Sequence, residues 1–473
     1  MDPFNKLPAE IRIQINIQLR LRSKPSILSI IQASPAMLNQ YIASKFHIIK
    51  KSLASDFDEE MLHDATRIIQ FSSWSTTIVS SRVLGTSFRS WTAQELPNPF
   101  KGKDHGLIGE IDKPHSRLLL FIEDYLTKAT AVFPPREYLC LPDLSSTQGH
   151  LMFKNKMVSP RFNAVHLMNQ ERRRLFRAFL RHELICKVSH RRSHLEPRLD
   201  WGLLQKYKGQ AFRHSEREAI ECVHEYLVSL YGAMCAQCGD SWLPDIPHGT
   251  LSSHDTGLLY PDNLYVDADH YACDIGSCVS SSLACFGFDL ATILIRSATS
   301  GQHGRDGLKS WFRDPSTDGC SELEWRAGSL FPDPIFSGTK DMLRQEGSGM
   351  FRSLSLRFED GNDLQQHIYR QRAWVFLDDA RLYPSFSLAP HFPTSDEIVA
   401  QNTITMASEE WFMGPLHTRA RHRSRKWHEK GPLSVDDNQY QDSELEAEYE
   451  DPLPPLFVRS EQTRSGQLAR FWR

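Results

Sequence analysis

Residues 3–22, Pro-Phe-Asn-Lys-Leu-Pro-Ala-Glu-Ile-Arg-Ile-Gln-Ile-Asn-Ile-Gln-Leu-Arg-Leu-Arg, decide how the chain begins to fold. Pro8 suits a first helical turn because it has no N–H to lose there. Glu10 places negative charge near the helix N-terminus, where the helix dipole favours it. Residues 11–21 also alternate apolar and polar, which is typical of a half-buried strand. The proline and the carboxylate favour a helix over that strand.

Two further short helices are predicted after this segment. Residues 27–31 are mostly apolar and indicate a short buried helix. Ser34 followed by Pro35 is an N-cap with proline in the first turn, so a third helix is predicted from there. Three short apolar helices in succession have a shape that suits docking onto a partner protein.

Leu-Pro-Ala-Glu-Ile at residues 7–11, an apolar second helix and a third helix after Ala33-Ser34 follow the order of an F-box. The stretch resembles that small helical module, which binds a substrate receptor to the Skp adaptor of cullin-type ubiquitin ligases. Pro35 departs from the Ser-Arg/Lys-x-Trp segment that many F-boxes have. The resemblance implies a Skp-type adaptor as partner and a docking face made of Leu7, Pro8, Ile11, Ile15 and Leu19. The alternative is a helical hairpin that packs on its own domain.

Longer blocks at residues 259–264, 286–292 and 371–384 are similar to those of uncharacterised filamentous-fungal proteins with F-box-like leaders. The similarity implies that residues 1–425 form one architectural unit, and it implies no activity.

Composition limits the class of protein. The chain has 473 residues, 40% hydrophobic and 24% charged, with a net charge of −3, so it is expected to be globular without a global attraction to nucleic acid or membranes. The sequence contains neither a long apolar run typical of a transmembrane helix nor a signal peptide at its start. Nine scattered cysteines favour reduced thiols, and we therefore expect a cytoplasmic or nuclear protein.

The fold class predicted is mainly α: an F-box-like helical N-terminus at residues 1–50, a large irregular helical body at 51–430 and a disordered charged C-terminal tail at 431–473. Within the body, helices are predicted at 118–133, 170–188, 288–297 and 363–383, and loops at 95–116 and from 136 to 160. Arginines of the 170–188 helix are expected to solvate its outer face. Ser215 and Glu218 are expected to form a capping box opening a helix that ends near Gly239.

Two cysteines have the spacing of a zinc knuckle. Cys235 and Cys238 would need two more ligands, for which Cys273, Cys278, His248, His254 and His270 are available. Both cysteines also continue the apolar stripe of a predicted helix, and packing is the preferred interpretation. We therefore expect no metal and no cofactor.

Residues 248–274 distantly resemble the catalytic and metal-binding segment of small-molecule phosphotransferases. Thr250 occupies the place of the catalytic base, and no glycine-rich loop followed by a strand lysine precedes it. Asp267-Ala-Asp269 lacks the glycine and glutamate of a calcium loop. No catalytic residue is therefore assigned, and the chain is expected to be a non-enzymatic adaptor. The rival hypothesis is an enzyme of unknown class.

The tail has two blocks of opposite charge. Residues 419–430 are strongly basic, and residues 436–451 carry eight carboxylates without a Lys or Arg. Low hydrophobicity with charge in blocks predicts disorder after about residue 430. The basic run is typical of nuclear-import or nucleic-acid patches, but neighbouring blocks of opposite sign can also neutralise each other, which is the preferred interpretation.

Overall fold

The computed structural model describes residues 2–22, 24–73, 90, 95–96, 98–101, 105–144, 149–190, 212–238, 243, 283–312, 345–357, 363–384 and 391–398. Over these residues the protein is mainly helical, which confirms the predicted fold class. None of the described helices is long and apolar enough to cross a membrane. The basic run, the acidic tail and the segment 248–274 lie outside the described residues.

The N-terminal helices form as predicted. A short 3₁₀ helix at Pro3–Lys6 is followed by α1 (Ala9–Arg22), α2 (Lys24–Ala33) and α3 (Pro35–Asp56). The helical interpretation of the alternating segment is thus confirmed and the strand is wrong. The three helices pack on one another, and α3 continues without a break through residue 50 into the body.

The remaining elements follow in chain order. They are α4 (Glu59–Ser73), α5 (His105–Ala129), α6 (Pro134–Glu137), β1 (Leu141–Pro142), β2 (His150–Phe153), β3 (Lys156–Pro160), a 3₁₀ helix (Ala164–His166), α7 (Asn169–His190), α8 (His214–Cys238), α9 (Gly287–Thr299), α10 (Gln302–Phe312), α11 (Gly349–Leu354), a 3₁₀ helix (Ser355–Arg357) and α12 (Asp363–Gln371).

Helix α8 lies at the centre of the main core. It packs against α7, α9, α10 and α12, and most of its residues are buried. Aromatic rings fill the space between these helices: Phe179 stacks on Phe288 with ring centroids 5.3 Å apart, and Tyr226 lies 6.1 Å from Phe179. A helix buried on nearly every side must satisfy its polar groups internally, and this one does so with ion pairs to its neighbours.

A small antiparallel sheet occupies part of the predicted 136–160 loop, and that loop prediction is wrong there. The strands pair in the order β1-β2-β3, with Leu151 opposite Ser159. Lys154 and Asn155, which join β2 to β3, have positive φ values of 46° and 64°. Two consecutive residues of that conformation close the tightest hairpins, and Asn tolerates it better than most residues.

Helix α5 begins at His105, so the loop predicted up to residue 116 is wrong over its second half. Pro114 lies inside the helix, where proline normally costs stability because it lacks an N–H. Ile111 and Ile108, one and two turns earlier, are buried in the main core. Burial of this apolar face outweighs the local preference of the proline.

The arginines of α7 differ from the prediction. Arg172 binds Asp56, Arg177 binds Asp58, and Arg181 lies between Glu60 and Glu216. Only part of the predicted solvated face exists, because α3, α4 and α8 place carboxylates against the helix. Arg173, by contrast, is exposed as expected.

Two other helix termini also differ from the prediction. Glu218 does not cap α8, because its carboxylate is buried and bound by Arg370 and the Trp374 indole N–H. Instead the Glu216 side chain accepts a hydrogen bond from the backbone N–H of Arg213. Helix α12 ends at Gln371, and the chain turns at Ala373, whose φ is 55°.

Candidate interaction site

The N-terminal helices have a small core of their own, separate from the main one. Ile17, Ile27 and Ile48 are its buried members, one from each of the three helices. Partly buried side chains packed around them are Ile13, Leu19, Ile31 and Tyr41. Helix α1 therefore turns Ile13, Ile17 and Leu19 toward this core, and Ile11 is left exposed.

Of the five predicted docking residues, two are exposed on the surface and three are half-buried. Pro8 and Ile11 are exposed, with 46% of Ile11 accessible to solvent. Leu7 and Ile15 are half-buried. Leu19 is also half-buried and packs on the small core. The structure thus places Pro8 and Ile11 on the surface, while Leu19 helps to hold the three helices together.

A cap joins the start of the described chain to the start of α3. The Asp2 carboxylate accepts hydrogen bonds from the backbone N–H of Phe4 at 2.9 Å, from the Ser34 hydroxyl at 2.5 Å and from the Ala36 N–H at 3.1 Å. Ser34 in turn accepts from the Met37 N–H at 3.1 Å, as its predicted N-cap role requires. The hydrogen bond from Ser34 lowers the pKa of Asp2. The cap fixes the direction in which α3 leaves the turn.

The three helices are attached to the body at two further places. Arg20 of α1 forms an ion pair with Asp112 of α5, and α1 lies against the 3₁₀ helix Ala164–His166. The second half of α3 buries Ile49 and Leu53 in the main core. The helices are therefore fixed relative to the body, and α3 belongs to both cores.

Helix α3 exposes a row of large apolar side chains, and sequence reasoning did not single it out. Leu38, Ile42 and Phe46 are 38%, 64% and 38% exposed. We call these three residues the α3 stripe. Their spacing of four places them along one ridge about 12 Å long. The sequence shows this spacing, but it does not show which side of α3 other elements cover.

Phe46 marks the end of the stripe nearest the body. Its ring stacks on His105 of α5, with centroids 4.6 Å apart and an angle of 28° between the planes. It also faces Gly109, where an added Cβ would lie 4.0 Å from the ring. The contacts with His105 and Gly109 hold Phe46 against α5, so this end of the stripe rests on a helix of the body.

The surroundings of the α3 stripe are positively charged. Lys45 is exposed on the same side of the helix as the stripe, and Lys51 is exposed further along it. Helix α3 has one acidic residue, Asp56, which is its last residue. The Asp56 carboxylate is buried and bound by Arg172 and His115. A ridge of exposed apolar side chains with a lysine beside it is suited to a partner with an apolar groove and an acidic edge.

The two knuckle-spaced cysteines lie in the last turn of α8, where the predicted helix places them. Both are half-buried, and burial raises the pKa of Cys235 and of Cys238 to about 12, which disfavours the thiolate that binds metals. In the described part of the chain, no group of three or more His, Cys, Asp or Glu side chains is arranged to hold a metal ion. The five other candidate ligands lie outside it.

Comparison of the chain with protein-family models, with curated proteins and with solved structures finds no match. The α3 stripe and its surroundings are therefore interpreted from their own chemistry.

Proposed function

We propose that the protein is a non-enzymatic interaction protein that uses its N-terminal helices to dock onto a Skp-type adaptor, in the manner of the F-box that residues 7–44 resemble. One observation carries the proposal: the three helices expose Ile11 and the α3 stripe instead of turning all their apolar side chains inward. These four residues are half of the eight large apolar side chains exposed in the described residues. Apolar side chains gathered on one small unit mark a protein-binding surface.

The attachment of the helices supports an adaptor role as well. Because α3 is shared between the small core and the main core, a partner held on its exposed ridge is fixed in orientation relative to the body. A receptor of a cullin-type ligase needs this rigidity in order to present what it binds. The body would then supply the surface for a target protein.

Ile42→Asp tests the proposal, and Met157→Asp is a matched control because Met157 of β3 is 63% exposed, against 64% for Ile42. We expect the unaltered chain to retain a purified Skp-type adaptor, and Ile42→Asp to weaken its affinity at least 30-fold, corresponding to about 2 kcal/mol for a central anchor. Met157→Asp should bind normally. Thermal midpoints of both variants should match that of the unaltered chain.

A companion variant addresses the residues implied by the sequence. Replacing Leu7 and Pro8 by Ala should also abolish co-purification with the adaptor, without unfolding the body. If the intact chain recovers no adaptor under conditions that recover a known F-box protein, the proposal is wrong.

A further inference from the structure

The first part of the chain and its tail carry opposite charges. Residues 1–51 contain eight Lys and Arg side chains and two carboxylates, those of Asp2 and Glu10. Asp2 is engaged in the cap of α3, and α3 itself presents Lys45 to solvent beside the stripe, with Lys51 exposed further along the helix. The positive field around the stripe is thus local, because the whole chain has a net charge of −3.

Residues 436–458 have the complementary composition. Residues 436–451 carry eight carboxylates and no Lys or Arg, and Leu453, Leu456, Phe457 and Val458 follow directly. A segment of this kind can place carboxylates against the lysines and apolar side chains against the stripe at the same time. Either contact alone is weak on a protein surface, but together they favour one site.

The connecting chain is long enough for this contact. Residues 399–435 separate the last described residue, Ile398, from the acidic block. Even at the short helical rise of 1.5 Å per residue, these residues span about 55 Å. A globular chain of this length has a radius of gyration of about 20–25 Å and a half-circumference of about 90 Å, which the same residues can cover when extended, since they then span about 120 Å.

We propose that residues 436–458 dock onto the α3 stripe of their own chain and thereby compete with the partner that binds there. The docking itself depends only on the stripe and its charges, whereas the competition rests on the proposed function. The acidic-apolar segment acts as an internal mimic of the partner, and the adaptor must displace it.

The competition can be substantial although the contact is weak. A tethered segment has an effective concentration of about 1 mM, so a tail with an intrinsic dissociation constant of about 0.1 mM would reduce the affinity of the adaptor about tenfold. Salt should relieve the effect, since exposed charges are screened beyond about 10 Å at 0.1 M ionic strength.

Photocrosslinking in the full chain tests the docking. Asn39→p-benzoylphenylalanine places the probe at an exposed position of α3 beside the stripe, and Met157→p-benzoylphenylalanine serves as a control at an exposed position of β3. We expect the probe at position 39, and not that at 157, to crosslink within residues 436–458 of the same chain, as mapped by mass spectrometry. Changing every Asp and Glu of 436–451 to Asn and Gln, or adding Ile42→Asp, should lower the yield at least tenfold.

Three results would overturn the proposal: no crosslink from position 39 to the tail, a crosslink that survives neutralisation of the carboxylates, or crosslinks that join two chains. The first is expected if the basic run 419–430 binds the acidic block instead. Adaptor affinity separates this failure from that of the proposed function. Neutralising the block should strengthen adaptor binding about tenfold; if crosslinking occurs and no adaptor binds, only the adaptor role is wrong.

Discussion

At the scale of single residues, buried carboxylates hold the helices of the body together. Asp56 is fully buried at the end of α3, where its carboxylate receives two hydrogen bonds from Arg172, and Nε2 of His115 lies 2.7 Å away. Burial raises the pKa of Asp56, but the hydrogen bonds and charges of His115 and Arg172 outweigh it and lower the pKa from 3.8 to about 2. The ionised form is therefore the one that the fold stabilises.

The depressed pKa of Asp56 predicts a specific pH dependence. A carboxylate with a lowered folded-state pKa stabilises the fold above its unfolded pKa, and this stability is lost as the pH falls from about 4 to about 2. Because one pKa unit corresponds to about 1.4 kcal/mol, Asp56 contributes about 2 kcal/mol at neutral pH. Denaturant unfolding should show a stability deficit for Asp56→Asn at pH 7 that disappears near pH 2. A deficit that stays constant, or one shared by the exposed control Asp306→Asn, would contradict this.

Glu218 is a second buried carboxylate with a defined role. It binds Arg370 with two hydrogen bonds of 2.9 Å and accepts a third from the Trp374 indole at 3.1 Å, which ties α8 to α12 and the turn after it. Glu218→Gln leaves the buried Arg370 guanidinium with only the more distant Glu221 carboxylate, 4.0 Å away, as counter-charge, and we expect a loss of about 2 kcal/mol or more in denaturant unfolding.

Glu110→Gln is the matched control for Glu218→Gln. Its partner Lys113 is exposed on α5, and such surface pairs contribute little. Its unfolding free energy should change by less than about 0.5 kcal/mol. Equal effects of the two substitutions would show that the Glu218–Arg370 pair is not buried as described.

At the scale of elements, the N-terminus of α9 is capped by a side chain from another helix. The Glu183 carboxylate of α7 accepts a hydrogen bond from the Phe288 N–H at 2.7 Å and lies 3.5 Å from Arg117 and 3.7 Å from Lys187. Gly287 makes room for it: its φ is 76°, and an added Cβ would lie 2.4 Å from the carboxylate oxygen. The start of α9 thus depends on a contact between elements that are far apart in sequence.

Two glycine substitutions should therefore have opposite effects. Gly287→Ala adds a Cβ at a positive φ and displaces the Glu183 cap, so we expect destabilisation by about 2 kcal/mol or more. Gly307→Ala lies within α10, where an added Cβ meets nothing within 4 Å, and should stabilise the protein by about 0.5–1 kcal/mol. Thermal unfolding of both variants checks the signs. Destabilisation by both would show that α10 does not tolerate a side chain at that position.

At the scale of the whole molecule, α3 connects the interaction site to the body. Its first half carries the exposed stripe and its second half is buried in the main core, so both depend on one continuous helix. The described structure reaches Ile398, and the acidic tail from residue 431 has few apolar residues and nine carboxylates. This composition does not form a packed core of its own, because it has too little apolar surface to offset about 1–2 kcal/mol of backbone entropy for each residue of such a core.

Deletion of residues 431–473 should accordingly leave the stability of the body nearly unchanged. A weak surface contact such as the proposed docking contributes at most about 1–2 kcal/mol, and we expect the thermal midpoint to fall by less than about 3 °C. A larger fall would show that the end of the chain, with Leu468, Phe471 and Trp472, packs into the body. Replacing only those three residues by Ser would then reproduce the loss.

Local sequence determined the elements whose signals lie within one or two turns. Pro8 and Glu10 predict the start of α1, and Ser34-Pro35 that of α3. For α4 the sequence offers Asp56 or Asp58 as the cap, and Asp58 accepts the hydrogen bond from the Met61 N–H. These features depend on backbone donors and dipoles near the residue itself, so they can be read without knowledge of the fold. Helices α7, α8 and α9 could also be predicted from the sequence, because their apolar residues recur at helical spacing.

Only the tertiary structure decided which side of each element is covered. Arg172 and Arg181 bind carboxylates of other helices. Helix α5 continues through Pro114 because neighbouring elements bury its apolar face. Glu218 binds Arg370 and therefore does not form the predicted cap. The α3 stripe is exposed because α1 and α2 cover another side of that helix, around Tyr41 and Ile48, and the body covers the side of the stripe only from Ile49 onward. Burial is a property of residues far apart in sequence, and its free energy exceeds the local preferences that a sequence displays.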